Sequence, residues 1–92
     1  MNRIFLFLLV TVLVFSSCTE TKRKSTFRIG VSQCSDDAWR RTMNEDILRE
    51  ASFYPGLQVE IKTAYDSNQQ QIRDIERFIA DGVDLLIVSP NA

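Results

Sequence analysis

RIGVSQCSDDAWRR, Arg28 to Arg41, is the stretch from which the rest of the chain is read. It opens as an apolar β run, Ile29-Gly30-Val31, within a strand spanning Phe27 to Ser32. Ser32-Gln33-Cys34-Ser35-Asp36-Asp37 then breaks the run with a polar turn, and a helix follows whose first turn carries Trp39 and Arg40. Asp36 or Ser35 can cap that helix, and two acids at its start suit the helix dipole. A strand that runs into a polar loop and a helix N-terminus is where open α/β sheets hold their ligands.

Downstream, Trp39, Met43, Ile47 and Ala51 recur every four residues with Leu48 alongside, which predicts one apolar helical stripe facing a core. Arg40, Arg41, Asn44, Glu45 and Arg49 fall on the other side. Tyr54-Pro55-Gly56 ends the helix, because proline cannot continue it and glycine tolerates the turn. Leu57 to Thr63 (LQVEIKT) alternates strictly between apolar and polar, as a half-exposed edge strand does. A polar loop, Ala64 to Gln70, leads into a second helix from about Gln69 to Ala80, with Ile72, Ile75 and Ile79 inward, Phe78 beside them and Gly82 as the stop. Val83 to Ser89 (VDLLIVS) is a third strand whose continuous apolar run, Leu85 to Val88, predicts a central position.

The order β-α-β-α-β implies an α/β fold with a parallel sheet and right-handed crossovers. An edge-like second strand with more buried first and third strands fits sheet order 2-1-3, the start of a flavodoxin-like doubly wound sheet. The switch point then lies between the first and third strands. Its mouth is formed by Ser32 to Asp37, by Trp39 and Arg40, and by Ser89-Pro90-Asn91.

Residues 1–17 read as an export signal. Arg3 supplies the positive start, and Ile4 to Phe15 is a run of 12 residues interrupted only by Thr11. A membrane span needs roughly 20 residues, whereas a signal-peptide core is this short. Ser16-Ser17-Cys18 completes FSSC, which resembles the lipobox of bacterial lipoproteins, with Cys18 as the lipidated residue. An ordinary signal peptide or an uncleaved anchor is the alternative. Residues 18–26 form a polar, aperiodic tether, leaving 27–92 for the fold.

Composition narrows the function classes further. The chain has 11 basic and 12 acidic residues, and loss of Arg3 with the signal leaves 10 against 12, a net charge of −2. That balance favours neither nucleic acid nor another polyanion. Histidine is absent and there are two cysteines, so no Cys/His metal cluster forms and no cofactor is expected. Cys34 reads as a small turn residue. There is no P-loop, no GxGxxG and no Ser/His or Cys/His constellation, so the segment reads as non-catalytic. The acid pair Asp36-Asp37 resembles the magnesium-holding acids of response regulators, but those are cytoplasmic and this chain opens with an export signal. A three-strand sheet that ends on an apolar strand leaves an open edge, and 75 residues follow the signal. This predicts the N-terminal part of a longer protein.

The strand RIGVSQ, the turn and helix SDDAWRRTMNEDILREA and the closing run FIADGVDLLIVSPN together resemble the N-terminal lobe of type I periplasmic binding proteins, the ribose- and galactose-type sugar receptors. The combination is also similar to the sensor domains of Bacteroidota hybrid two-component systems. The resemblance implies the first part of lobe 1 of a two-lobed fold, here 27–92, in a protein anchored to the membrane and working in the periplasm. It implies a small-molecule ligand, a monosaccharide first of all, and a downstream kinase module as partner. The alternative is a lipid-anchored solute-binding protein serving an ABC permease. No DNA-reading helix-turn-helix precedes the first strand, which sets the chain apart from the related repressors.

Carried onto this sequence, the resemblance gives Trp39 the role of stacking on a sugar face, with Asp36 and Asp37 accepting hydroxyl bonds. Arg40 follows the stacking residue, Gln33 faces the cleft from the end of the first strand, and Asn91 lies at the exit of the third. The loop between the second strand and helix is a few residues shorter than usual in the family, so no ligand role passes to Asp66 or Asn68. Each of the carried-over residues in the first turn also has a plain structural role open to it. Trp39 can close the top of the helix stripe, Asp36 and Asp37 can serve only as caps, and Arg40 can be a solvated surface arginine.

Overall fold

The computed structural model describes residues 26–91. The expected signal at 1–17, the expected lipidation residue Cys18, all but Thr26 of the expected tether, and Ala92 lie outside the described residues. Five elements follow in order: β1 (Phe27–Gln33), α1 (Ala38–Ala51), β2 (Leu57–Thr63), α2 (Asn68–Ala80) and β3 (Leu85–Ser89). All three strands are parallel and the sheet order is β2-β1-β3, as the alternation of the second strand predicts. No helix of the described residues is long and apolar enough to cross a membrane.

Register fixes what meets across the sheet. Ile29 lies between Val59 and Leu85, and Val31 between Ile61 and Ile87, so one face carries an apolar row through all three strands. Side chains alternate between faces along a strand. Gly30 and Ser32 therefore occupy the opposite face, and that face packs on α2. A Cβ built on Gly30 would lie 2.7 Å from a ring carbon of Phe78, which is fully buried. Gln71, on the same side of the helix, bonds Ser32. Gln33 points the other way and bonds Asn44 of α1. The two helices thus cover opposite faces, and the sheet is doubly wound.

Local chemistry sets the element ends. The C-cap of α1 is Ser52, and Gly56 (φ 90°) turns the chain, its carbonyl accepting the Phe27 N–H at 2.7 Å. Ser67 caps α2 by accepting the Gln70 N–H, and Gly82 (φ 70°) follows its C-cap in the left-handed region that glycine enters without strain. Lys62 of β2 sits 5.3 Å from the Phe78 ring centroid, so the same buried ring meets a cation from the sheet.

Both helices are rotated from the faces that the sequence pattern predicts. In α1 the half-buried residues include Arg40, Met43, Asn44, Ile47 and Ala51, while Trp39 is 68% exposed and Leu48 is also exposed. Arg40 and Asn44 thus lie inward, not on the outer side. In α2 the buried residues are Gln71, Asp74 and Phe78, while Ile72 and Ile79 are exposed. The third strand, expected to be central in a longer sheet, borders the described one with Leu85, Ile87 and Val88 exposed, the open apolar edge that the sequence predicts. In α2 the close approach of Phe78 to Gly30 and the Gln71–Ser32 bond set the face that meets the sheet, and Ile72 and Ile79 are left off it.

Candidate functional site

Three loops leave the C-terminal edge of the sheet, and the backbone of Cys34 ties them together. Its N–H donates to Ser89 O at 3.1 Å, holding the exit of β3. Its carbonyl accepts the Asp66 N–H at 2.7 Å, holding the loop after β2. Next to it, Gln33 O accepts the Ala64 N–H at 2.9 Å. Cys34 itself is buried and is a free cysteine. The N-termini of both helices open on this same edge, where backbone N–H groups and helix dipoles favour oxygen-rich ligands.

Asp37, not Asp36 or Ser35, is the N-cap of α1. Its backbone is extended and its Oδ1 accepts the Arg40 N–H at 2.8 Å. Its Oδ2 accepts from the Ser35 hydroxyl at 3.0 Å and pairs with the Arg40 guanidinium. The Arg40 N–H bond is the chief reason the carboxyl titrates below its ordinary value; burial opposes this, and the Arg40 and Ser35 side chains reinforce it. Arg40 is folded back over the cap, and its Nε is buried without a partner. Asp36 is exposed and its carbonyl O accepts from Arg41 at 2.8 Å.

A depression of about 470 Å³ is lined by Ser35, Asp36, Asp37, Tyr65 and Asp66. Tyr65 and Asp66 both have positive φ, 49° and 67°. Two consecutive non-glycine residues in that region cost roughly 1–2 kcal/mol each, and the Asp66–Cys34 and Ser67–Ala64 backbone bonds hold them there. Pattern reading attached no role to Tyr65 or Asp66. The available signal was topological: in a 2-1-3 sheet the loop after β2 opens on the same edge as the loop after β1.

The expected site residues are partly brought together. Asp36 and Asp37 share the depression. Trp39, two residues on, does not line it, and instead lines a second groove of about 530 Å³ with Thr42, Met43, Asp46, Ile47 and Glu50. Asn91 is exposed just beyond the β3 exit. Gln33 departs from expectation: it has no accessible surface, and its Nε2 donates to Asn44 Oδ1 at 2.7 Å, so it faces α1 and not the open edge. The reason is parity, since the residue after Ser32 must point to the α1 face. Among the described residues no group of three or more Cys, Asp or Glu side chains is placed to hold a metal ion. The arrangement offers carboxylates, hydroxyls and an indole around an open edge, which suits a neutral polyhydroxy ligand.

No protein-family model and no curated protein matches the chain. Among solved structures it is similar to the fructose-binding periplasmic domain of the hybrid two-component system BT1754. The two share 60% sequence identity with a TM-score of 0.67, over 68% of this chain and 21% of the other. The chain therefore spans about a fifth of that neighbour's length. The resemblance to periplasmic sugar-binding sensor domains, drawn from RIGVSQ, SDDAWRRTMNEDILREA and FIADGVDLLIVSPN, and the α/β fold are borne out.

Proposed function

We propose that the chain is the N-terminal part of an extracytoplasmic sugar-sensing domain that takes a ketohexose such as fructose and feeds a membrane histidine kinase. The observation that carries this reading is the 60% identity to a fructose-binding periplasmic domain of a hybrid two-component system. The same observation favours a sensor over the solute receptor of an ABC transporter. In this reading the segment itself is non-catalytic, acts in the periplasm, and is delivered there by residues 1–17 with anchoring at or near Cys18.

The site chemistry is consistent with a sugar. Asp36, Asp37 and Asp66 supply charged acceptors for hydroxyl groups, and Ser35, Tyr65 and Asn91 supply neutral partners. The exposed Trp39 indole covers the apolar C–H face of a ring. Calorimetric titration of the complete extracytoplasmic region with fructose, glucose, galactose and ribose tests the proposal. Saturable heat with fructose is expected. No binding of any of the four sugars would refute the reading, and binding of an aldohexose alone would refute the ketohexose assignment.

A further inference from the structure

Gln71 lies on the face of α2 that packs against the sheet, 6% exposed, and its side chain reaches across two strands. Its Nε2 is 3.0 Å from Ser89 O, 3.2 Å from Ser32 Oγ and 3.4 Å from Ser32 O. Ser89 O also accepts the Cys34 N–H at 3.1 Å, so both lone pairs of that carbonyl are engaged at the point where β1 and β3 part. Gln33 and Ser89 are the last register pair; beyond them β1 leads to Ser35–Asp37, which line the depression, and β3 leads to Pro90–Asn91. The Gln71 amide, on the helix face that packs against the sheet, faces acceptors on both strands at that point. We propose that Gln71 is a positioning residue for the candidate ligand site, holding the β3 exit and Asn91 at a fixed distance from the Asp36–Asp37 loop. This rests on the sugar-binding reading above.

A merely space-filling role predicts something different, because glutamate and methionine both match glutamine closely in size. Gln71→Glu would aim carboxylate oxygens at the three oxygens that now face a donor, whereas Gln71→Met would only leave them without it. In the complete sensor, Gln71→Glu is expected to weaken fructose affinity at least tenfold and Gln71→Met severalfold. Hydrogen exchange at the Cys34 amide, which donates to Ser89 O, should rise in the reverse order of affinity, fastest in Gln71→Glu. Wild-type affinity in both variants, with only a lowered unfolding midpoint, would overturn the proposal. Should Gln71→Glu fail to fold, Gln71→Met carries the same two readouts. If the wild type binds none of the sugars, the functional reading fails on its own. The exchange data then decide the positioning role: unchanged Cys34 protection in Gln71→Met overturns it, and selective loss there upholds it.

Discussion

Trp39 and Asp37 sit two residues apart and answer to different forces. Trp39 is 68% exposed in the first turn of α1, next to a site on the sheet edge, so truncating it removes little packing. A surface substitution of this kind usually changes stability by no more than about 0.5 kcal/mol, whereas a core tryptophan would cost about 3–5 kcal/mol. Trp39→Ala is therefore expected to weaken hexose binding at least tenfold, about 1.4 kcal/mol, with a nearly unchanged urea midpoint. Unchanged affinity would remove the stacking role. Asp37 is a titration problem. Its carboxyl is held below its ordinary value of 3.8, chiefly by the Arg40 N–H bond, so the folded state favours the ionised form. The stability it contributes is present above the unfolded value and lost as pH falls through the lower folded value. Urea unfolding of Asp37→Asn should show a flatter decline than wild type below about pH 3.8, because asparagine keeps a cap acceptor and has no charge to lose. Identical acid limbs for the two proteins would argue that ionisation of Asp37 contributes nothing to stability.

Among the elements, β1 and α2 are joined by one close approach. Phe78 fills the space over Gly30, and an added Cβ would lie 2.7 and 2.8 Å from two ring carbons. Gly30→Ala should cost about 1–3 kcal/mol through overpacking, measured as a shift in the urea midpoint. Combining it with Phe78→Leu should cost less than the two single changes summed, since the smaller side chain makes room. Strict additivity would show that the two residues do not share the contact. Phe78 also shows where pattern reading succeeds and where it stops. The strand order was legible because LQVEIKT alternates and RIGV does not, and that difference separates an edge strand from one covered on both faces. Helix rotation was not legible. The isoleucines at 72, 75 and 79 outweigh Gln71 and Asp74 on any hydrophobic scale, yet Gln71 and Asp74 are buried: Gln71 finds polar partners on the sheet, Asp74 accepts from Gln70 of its own helix, and Phe78 fills a glycine-sized gap. Likewise Asn44 turned inward to meet Gln33, a pairing 11 residues apart that no periodicity announces. At the candidate site Asp36 and Asp37 were visible as acids after a strand. Tyr65 and Asp66 were not, because their position depends on backbone bonds to Cys34 rather than on their own type.

For the molecule as a whole, the two edges of the sheet carry different surfaces. Leu85, Ile87 and Val88 of β3 are exposed, as are Ile72 and Ile79 of α2, and Trp39, Met43 and Ile47 line an open groove on α1. The opposite edge is managed differently: β2 presents Gln58 and Glu60 outward and keeps Leu57, Val59 and Ile61 half-buried. An edge strand with apolar side chains on both faces and unpaired backbone groups templates further pairing, and charges along an edge suppress it. Residues 26–91 produced as a separate chain should therefore associate at micromolar to millimolar concentrations, through β3 and not β2. Replacing Ile87 by lysine places a charge in the middle of β3, opposite Val31, where it disfavours a neighbouring apolar strand. The β2 counterpart, Glu60→Lys, keeps a charge on an edge already protected. Sedimentation velocity across a concentration series distinguishes these cases. Association in the parent segment, its reduction by Ile87→Lys and its persistence in Glu60→Lys are expected. A monomer at every concentration, or equal suppression by both substitutions, would show that the β3 side is not the adhesive one.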